Sequence, residues 1–293
     1  MQEMLRVEDL WVSVDERQIL KGVNLSINYG EVLVLFGPNG AGKTSFIMTL
    51  MGFPKYVVEQ GRIYFKGEDI TNKDVYERAQ LGMGVSFQRP PTVRGVTLRK
   101  IIEIISDGRI NKEGFVEYAE RLNLSGHLDR GLNDGFSGGE IKRSELLQLM
   151  VQRPDMVLID EPESGVDLEN ITLVGEAINM LLGKDKVKDP KRSAIIITHT
   201  GYILDYVNAD KGYIIFEGKL ICGEDPYEVS MSHIQFRLGS VFVLIYRNNP
   251  PVILFQPIIL TESLSGAHYF KFSLVSLVYP FINYRVVNLN IRA

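Results

Sequence analysis

The sequence is poor in cysteine, with Cys222 as the only one among 293 residues. A single cysteine excludes an internal disulfide framework, and it excludes a metal cluster held by cysteines alone within one chain. Long apolar runs are also missing, because no uninterrupted stretch reaches the roughly 20 residues that a membrane-spanning helix needs. Residues 1–15 carry scattered charges and lack the apolar core of a signal peptide. We therefore expect a cytoplasmic location and no direct membrane span.

An excess of basic charge is lacking as well. The chain holds 36 acidic and 32 basic residues, a formal net charge of −4. Proteins that bind nucleic acid broadly are usually basic, so we expect no nucleic-acid partner. The hydrophobic share of 45% still supports a sizeable core, and the length suffices for one large domain or two ordinary ones.

Acidic residues nearly disappear towards the end, where Glu262 is the only one in residues 231–293. Such a shift in charge usually marks a boundary, so we predict one domain over residues 1–230 and an atypical apolar tail after it. Three interpretations of the tail stay open. It could be an added β domain, since residues 241–246 and 252–255 are strand-like, or a membrane-associating tail. It could also be sequence that selection for this fold never shaped, such as a shifted reading frame.

A continuous apolar run, Val32–Phe36, predicts a buried parallel strand that stops at Gly37. Four residues separate Gly37 from the triplet Gly42-Lys43-Thr44, which is the spacing of a phosphate-binding loop. Glycines let the backbone approach a polyphosphate, the lysine adds positive charge, and the dipole of the following helix favours an anion. A glycine-rich turn that matches by chance is the alternative. The predicted nucleotide-binding residues here are Gly37, Pro38, Asn39, Gly40, Ala41, Gly42, Lys43, Thr44 and Ser45.

Residues 156–159 predict a second buried strand, and the carboxylates Asp160 and Glu161 follow it directly. Asp160 at the strand end can hold Mg²⁺ through its hydration shell, and the hydroxyl of Thr44 can serve the same ion. Glu161 is placed to orient and deprotonate a water in line with a γ-phosphate. A pair of surface carboxylates is the alternative.

A serine and two glycines precede a predicted helix over residues 139–151, in the segment Phe136-Ser137-Gly138-Gly139-Glu140. At a helix N-terminus these residues form a second anion-binding nest. Ser137 and Glu140, three residues apart, also fit a capping box. Both roles can hold together.

Strands alternate with helices through residues 1–230, which predicts an α/β domain with a mainly parallel sheet and a ligand at the carboxyl ends of the strands. Gln88 follows one of these strands. Residues 96–124 change to helical spacing and predict a helical insertion within about residues 89–150.

Six motifs, in their order along the chain, make the sequence similar to the ATP-binding cassette (ABC) family. They are the phosphate loop, Gln88, the signature Phe136-Ser137-Gly138-Gly139-Glu140, the pair Asp160-Glu161, the segment Ser164-Gly165-Val166-Asp167, and His199 after a strand. The resemblance implies an ABC-type nucleotide-binding domain, in which a phosphate-loop core sheet with helices is joined by an antiparallel β subdomain and a helical subdomain. It also implies ATP hydrolysis, with ATP and Mg²⁺ as cofactors.

The resemblance further implies an ATP-dependent, head-to-tail dimer of nucleotide domains. Two ATP molecules would lie between the phosphate loop of one subunit and the signature of the other, so Ser137, Gly138 and Gly139 would bind the partner's nucleotide. Gln88 would sense Mg²⁺, and His199 would contact the γ-phosphate. The implied catalytic residues are Glu161, His199 and Gln88, and the implied metal-site residues are Thr44, Gln88 and Asp160.

Within the family the chain resembles the SufC group, the ATPases of the Suf iron–sulfur cluster assembly machinery. Transport ATPases more often place Leu before the signature serine and Gln after the glycines, where this chain has Phe136 and Glu140. This closer resemblance implies SufB/SufD-like scaffold proteins as partners. The nucleotide-binding subunit of an ABC membrane transporter is the alternative, because the same phosphate loop is common there. Acidic charge and a single nucleotide domain disfavour a chromatin or translation ATPase.

Overall fold

The computed structural model describes residues 2–106, 112–184, 192–198 and 201–221, together with the backbone of four later strands. Its contacts divide the chain into two units, Met1–Ile221 and Cys222–Ala293. This division falls slightly before residue 230, where the change in composition places the domain boundary, and that boundary stays a prediction.

Strands and helices alternate through most of the first unit. In chain order they are β1 (Glu3–Val14), β2 (Arg17–Asn28), β3 (Val32–Phe36), α1 (Lys43–Met51), β4 (Val57–Phe65), β5 (Glu68–Asp69), α2 (Val75–Gln80), β6 (Met83–Ser86), β7 (Val93–Thr97), α3 (Leu98–Ser106), α4 (Lys112–Arg121), β8 (Gly131–Leu132), α5 (Gly138–Gln152), β9 (Met156–Asp160), α6 (Leu168–Leu181), β10 (Ser193–Ile197), β11 (Lys211–Phe216) and β12 (Lys219–Ile221). Short 3₁₀ turns lie at Ser125–His127 and Tyr202–Asp205.

A six-stranded sheet in the order β12-β11-β3-β10-β9-β6 forms the centre of the first unit. Its strands pair in parallel except for β12, which pairs antiparallel with β11. Every residue of β3, β9 and β10 is buried, as expected for parallel strands that are covered on both faces. Because parallel strands end at the same edge, the segments that follow β3, β9 and β6 converge there.

A second sheet, in the order β2-β1-β4-β5, is antiparallel. Its buried residues, among them Leu5 and Phe65, share one hydrophobic core with Leu33 of β3 and Ile47 of α1. The antiparallel sheet is therefore packed onto the strand and the helix that flank the phosphate loop. This arrangement is the antiparallel β subdomain that the resemblance to the ABC family implies.

The helical part of the first unit contains α3, α4 and α5, with a small ladder between β7 and β8. The structure corrects one expectation here, because Val96 and Thr97 belong to β7 although their spacing predicted a helix from residue 96. Val93 pairs with Leu132 and Thr97 pairs with Gly131. β-branched residues suit such a ladder, and tertiary pairing therefore outweighs the local helical spacing.

The described part of the second unit consists of β13 (Phe242–Tyr246), β14 (Val252–Gln256), β15 (Tyr269–Val275) and β16 (Val286–Arg292). They form two antiparallel pairs, β13 with β14 and β15 with β16. β13 and β14 overlap the two strand-like runs of the sequence, and the three interpretations of the tail stay predictions. Among the described residues, no helix combines the length and the apolar character that crossing a membrane requires.

Arg78 of α2 closes the end of α1. Its guanidinium donates to the carbonyl oxygens of Thr49 at 2.8 Å and Leu50 at 2.9 Å, in the last turn of α1, and to those of Lys73 at 2.8 Å and Thr71 at 2.9 Å. α1 has no basic residue in its own last turn, so Arg78 supplies the positive charge that a helix C-terminus favours. Burial lowers the pKa of Arg78 to about 10, which leaves it charged at neutral pH.

The substitution Arg78→Met should lower the free energy of unfolding by roughly 3 kcal/mol, because buried carbonyl oxygens lose a charged donor while much of the side-chain volume is kept. Chemical denaturation followed by circular dichroism measures this change. Arg62→Met is the matched control, because the exposed Arg62 pairs with Asp69 at 3.2 Å and an exposed ion pair contributes little. Equal losses in the two variants would contradict the role given to Arg78.

Candidate active site

The phosphate loop lies between the end of β3 and the start of α1. At Gly37 a Cβ atom would lie 2.3 Å from the carbonyl oxygen of Ile215, and at Gly42 φ is 110°, so both positions require glycine. Lys43 Nζ donates to the carbonyl oxygen of Gly37 at 2.7 Å and to that of Pro38 at 3.1 Å. These bonds fold the lysine side chain back over the loop.

The beginning of α1 has the character of an anion site. It has no acidic residue in its first turn, and Gly42 at its N-cap makes no side-chain capping bond. A helix N-terminus of this kind favours phosphate through its dipole and its N–H groups. Burial lowers the pKa of Lys43, while Glu161 and Asp160 oppose that shift, so the ammonium lies close to both carboxylates.

Asp160 ends β9 with no solvent exposure. The hydroxyl of Thr44 donates to its Oδ2 at 2.9 Å, and its Oδ1 has no hydrogen-bond partner. Burial raises the pKa of Asp160, while the bond from Thr44 and the ammonium groups of Lys142 and Lys43 oppose this. A buried carboxylate oxygen without a donor, beside a hydroxyl, fits an oxygen-preferring cation such as Mg²⁺.

The described residues contain no group of three or more His, Cys, Asp or Glu side chains that could hold a metal. Proteins usually bind Mg²⁺ through one or two carboxylates and the phosphates of a substrate. The donor set around Asp160 and Thr44 therefore fits the ion in the company of a nucleotide. The assignment of this ion to Asp160, Thr44 and Gln88 stays a prediction.

Gln88 and Glu161 are brought into direct contact by the ends of neighbouring strands. Gln88 Nε2 donates to Glu161 Oε2 across the ends of β6 and β9. Glu161 is 6% exposed, has φ of 48°, and its N–H donates to the carbonyl oxygen of Ile197 at 3.1 Å. The strained backbone turns the carboxylate out of the strand direction and towards Gln88, which sequence spacing alone could not establish.

Ser137 is the N-cap of α5, and the predicted capping box is present. Its N–H donates to Glu140 Oε2 at 2.7 Å, and the N–H of Glu140 donates to Ser137 Oγ at 3.3 Å. A Cβ atom at Gly138 would lie 1.9 Å from the carbonyl oxygen of Gly165. The first glycine of the signature is thus required by close packing against the segment that follows β9, whatever its role towards a nucleotide.

His199, the remaining predicted site residue, lies outside the described residues. Its neighbour Thr198 is buried at the end of β10. Thr198 Oγ1 donates to Glu163 and accepts from the N–H of Gly201 at 2.8 Å. The functional roles of all the predicted site residues stay predictions, although the structure brings Lys43, Thr44, Asp160, Glu161 and Gln88 to one edge of the sheet.

Two residues of α5 contact the site although they were not among the predicted site residues. Lys142 Nζ donates to the carbonyl oxygens of Phe87 at 2.7 Å and Gln88 at 3.0 Å. Glu145 Oε1 accepts from the N–H of Phe87 at 3.1 Å, and its Oε2 accepts from the hydroxyl of Ser86 at 2.8 Å. No sequence signal distinguished these two residues from the other charged residues of α5, Glu140 and Arg143.

The fold and the site together define a phosphate-loop nucleotide-binding domain. A family model described as "ABC transporter" matches residues 20–164 of the chain. A "Probable ATP-dependent transporter" from Cyanophora paradoxa is 36% identical over 232 residues, which are 75% of this chain and 87% of that protein. A "Probable ABC transporter ATP-binding protein" from Streptococcus pyogenes serotype M3 is 35% identical over 233 residues, which are 76% of this chain and 89% of that protein.

Solved structures agree with these relatives. A nucleotide-free ATP-binding cassette from an ABC transporter matches with a TM-score of 0.62 and 29% identity, over 75% of this chain and 90% of that one. The ADP conformation of another ATP-binding cassette matches with a TM-score of 0.62 and 29% identity, over 76% of this chain and 91% of that one. The chain belongs to the ABC family of ATPases. It binds and hydrolyses ATP, and the predicted α/β fold class is confirmed.

Glu145 makes the stability of this domain depend on pH. Burial raises its pKa to about 7 from the ordinary value of 4.5, against the bonds from Phe87 and Ser86 and the charge of Lys142. Between pH 4.5 and about pH 7, Glu145 therefore holds its proton more tightly in the folded chain than in the unfolded chain. The contribution of Glu145 to stability is therefore greatest at low pH and falls, by about 3 kcal/mol, as pH rises through this window.

The substitution Glu145→Gln should remove this dependence, because the amide does not titrate and nearly keeps the shape of the side chain. Thermal unfolding of both proteins from about pH 5 to about pH 8 measures it. The variant should gain stability relative to the wild type as pH rises. A difference that stays constant across the range would show that Glu145 has an ordinary pKa in the folded chain.

Proposed function

We propose that the chain is a SufC-like ATPase subunit that drives an iron–sulfur cluster assembly scaffold. ATP-dependent, head-to-tail dimerisation would supply the motion, and SufB/SufD-like scaffold proteins would receive it. The observation that carries the proposal is the signature segment, in which Phe136 precedes the capping serine and Glu140 completes the capping box. The backbone bond from Ser137 is the main cause that lowers the pKa of Glu140, so this residue stays charged at the helix start.

The proposed nucleotide site uses the loop from Gly37 to Ser45. Lys43, which now donates to two carbonyl oxygens of the loop, would donate to the outer phosphates instead. Thr44, Asp160 and Gln88 would hold Mg²⁺, which when bound neutralises charge on the phosphate oxygens. The partnerless Oδ1 of Asp160 supports this assignment.

Glu161 is proposed as the general base for hydrolysis. Its carboxylate is buried at the strand edge, close to the ammonium of Lys43, and Gln88 orients one of its oxygens. A carboxylate held in this way can orient a water and accept its proton as the water attacks the γ-phosphate. His199 is proposed to contact the same phosphate.

The signature of each subunit is proposed to bind the nucleotide of the other. Ser137, Gly138 and Gly139 begin α5, and a helix N-terminus with two glycines suits a phosphate. Within the chain, the atoms nearest to Gly138 and Gly139 belong to Gly165 and Asn170. The nest would therefore serve the nucleotide of a second copy in the head-to-tail arrangement.

The substitution Glu161→Gln should preserve ATP binding and lower kcat by roughly two to four decades, because the amide cannot accept the proton. It should also trap an ATP-bound dimer that size-exclusion chromatography with light scattering detects. Steady-state ATPase assays measure the turnover. Unchanged turnover would remove Glu161 from the role of base.

Two variants serve as controls for the trapped dimer. Ser137→Arg in the Glu161→Gln background should leave ATP binding by the monomer intact and abolish the dimer, since the large cation fills the nest that faces the partner. Lys43→Ala should abolish both, because the loop loses its phosphate-binding charge. A dimer that survives Ser137→Arg would contradict the head-to-tail arrangement.

The partner assignment is tested by co-purification. The tagged chain, carrying Glu161→Gln and supplied with ATP, should capture a pair of soluble scaffold proteins under anaerobic conditions, and mass spectrometry identifies them. Lys43→Ala, treated in the same way, should show whether capture depends on nucleotide. The capture of a polytopic membrane protein in place of a scaffold would overturn the assembly role without affecting the ATPase.

The second candidate is the nucleotide-binding subunit of an ABC membrane transporter. The names of the relatives, which describe a probable transporter and an ATP-binding protein, favour it. Both candidates share the same hydrolysis site and a dimer of nucleotide domains, so the bound partner is the property that separates them. We also propose a cytoplasmic location for the chain under either candidate.

A further inference from the structure

α5 holds the segment after β6 with two charged side chains that lie three positions apart. Glu145 accepts from the hydroxyl of Ser86 at 2.8 Å and from the N–H of Phe87 at 3.1 Å. Lys142 donates to the carbonyl oxygens of Phe87 at 2.7 Å and Gln88 at 3.0 Å. The backbone of Phe87 is thus bound through both its N–H and its carbonyl group.

This contact is built from buried ionisable side chains. Glu145 is 7% exposed and Lys142 is 3% exposed. Burial of a carboxylate and an ammonium carries a large desolvation cost, and well-packed apolar side chains often give equal or greater stability. Stability alone therefore does not require this pair, whereas fixing the direction of a short backbone segment does require donors and acceptors at set positions.

The segment that α5 fixes leads directly to the catalytic edge. Gln88 follows Phe87, and its side-chain amide donates to Glu161. Phe87 and Gln88 are joined by one peptide unit. A shift of the Phe87 backbone would therefore move the Gln88 side chain away from Glu161. Misplacement of a catalytic group by about 1 Å can cost roughly 100-fold in rate.

We propose that Glu145 is a positioning residue for ATP hydrolysis, which holds the backbone of Ser86 and Phe87 so that Gln88 meets Glu161. The inference rests on the proposed roles of Gln88 and Glu161. It adds to them a residue that acts through its bonds to Ser86 and Phe87. Glu145→Gln retains an oxygen that accepts from Phe87 and an amide that donates to Ser86, whereas Glu145→Ala removes both bonds.

The test measures kcat and KM for ATP in the variants Glu145→Ala, Glu145→Gln and Gln88→Ala and in the double variant Glu145→Ala/Gln88→Ala. Glu145→Ala should lower kcat by roughly 10- to 100-fold with KM changed by less than about threefold, since positioning and not ground-state binding is lost. Glu145→Gln should recover most of the lost turnover. In the Gln88→Ala background, Glu145→Ala should lower kcat by less than about twofold further, because both changes act through the same contact.

Two further variants separate an effect on turnover from a loss of stability. Ser86→Ala removes a single donor to Glu145 and should lower kcat by a few-fold, again only when Gln88 is present. Asp210→Ala is the matched control, because Asp210 Oδ2 accepts from the N–H of Val32 at 2.8 Å at the amino end of β3, away from the site. It should lower the thermal midpoint and leave kcat unchanged.

Three outcomes would overturn the proposal. They are wild-type turnover in Glu145→Ala, additive losses in the double variant, and a loss of kcat in Asp210→Ala as large as that in Glu145→Ala. If Glu145→Ala does not fold, a Ser86→Ala variant with normal kcat overturns it equally. Failure of the proposed role of Gln88 gives a different result, since Gln88→Ala alone would then hydrolyse ATP normally.

Discussion

A carboxylate with no solvent exposure, Asp160, is the constraint on which the site depends. An ionised group at that depth needs positive partners and donors, and the fold supplies them from Lys43, Thr44 and Lys142. Lys43 and Thr44 begin α1, Lys142 lies within α5, and Asp160 ends β9, so the four residues meet only in the folded chain. The one oxygen of Asp160 that the described side chains leave without a donor lies where a cation would be bound.

Close contact between backbone segments is the second requirement, and it explains the glycines at two positions of the site. Gly37 lies against the carbonyl oxygen of Ile215, and Gly138 lies against that of Gly165. Both contacts join segments far apart in sequence, at the phosphate loop and at the start of α5. Any side chain at either position would push the packed segments apart, so these glycines serve the tertiary structure as well as the approach of a phosphate.

α5 connects the two parts of the proposed dimer site within one chain. Its N-terminus carries the signature, and Lys142 and Glu145 in its middle bind the backbone that leads to Gln88. Hydrogen bonds from buried side chains thus join the helix that begins with the signature to the backbone that leads to Gln88.

Sequence alone determined the parts that local pattern encodes. Apolar runs located the buried strands, and loop spacing and the capping box located both helix starts, because these signals depend on neighbours a few residues away. Tertiary structure alone decided the rest. It put Val96 and Thr97 into β7, it turned Glu161 towards Gln88, and it made Glu145 and Arg78 partners of backbone atoms 28 or more residues distant. Contacts across such separations depend on how strands are ordered in the sheet, and a side chain's own sequence neighbourhood carries no record of that order.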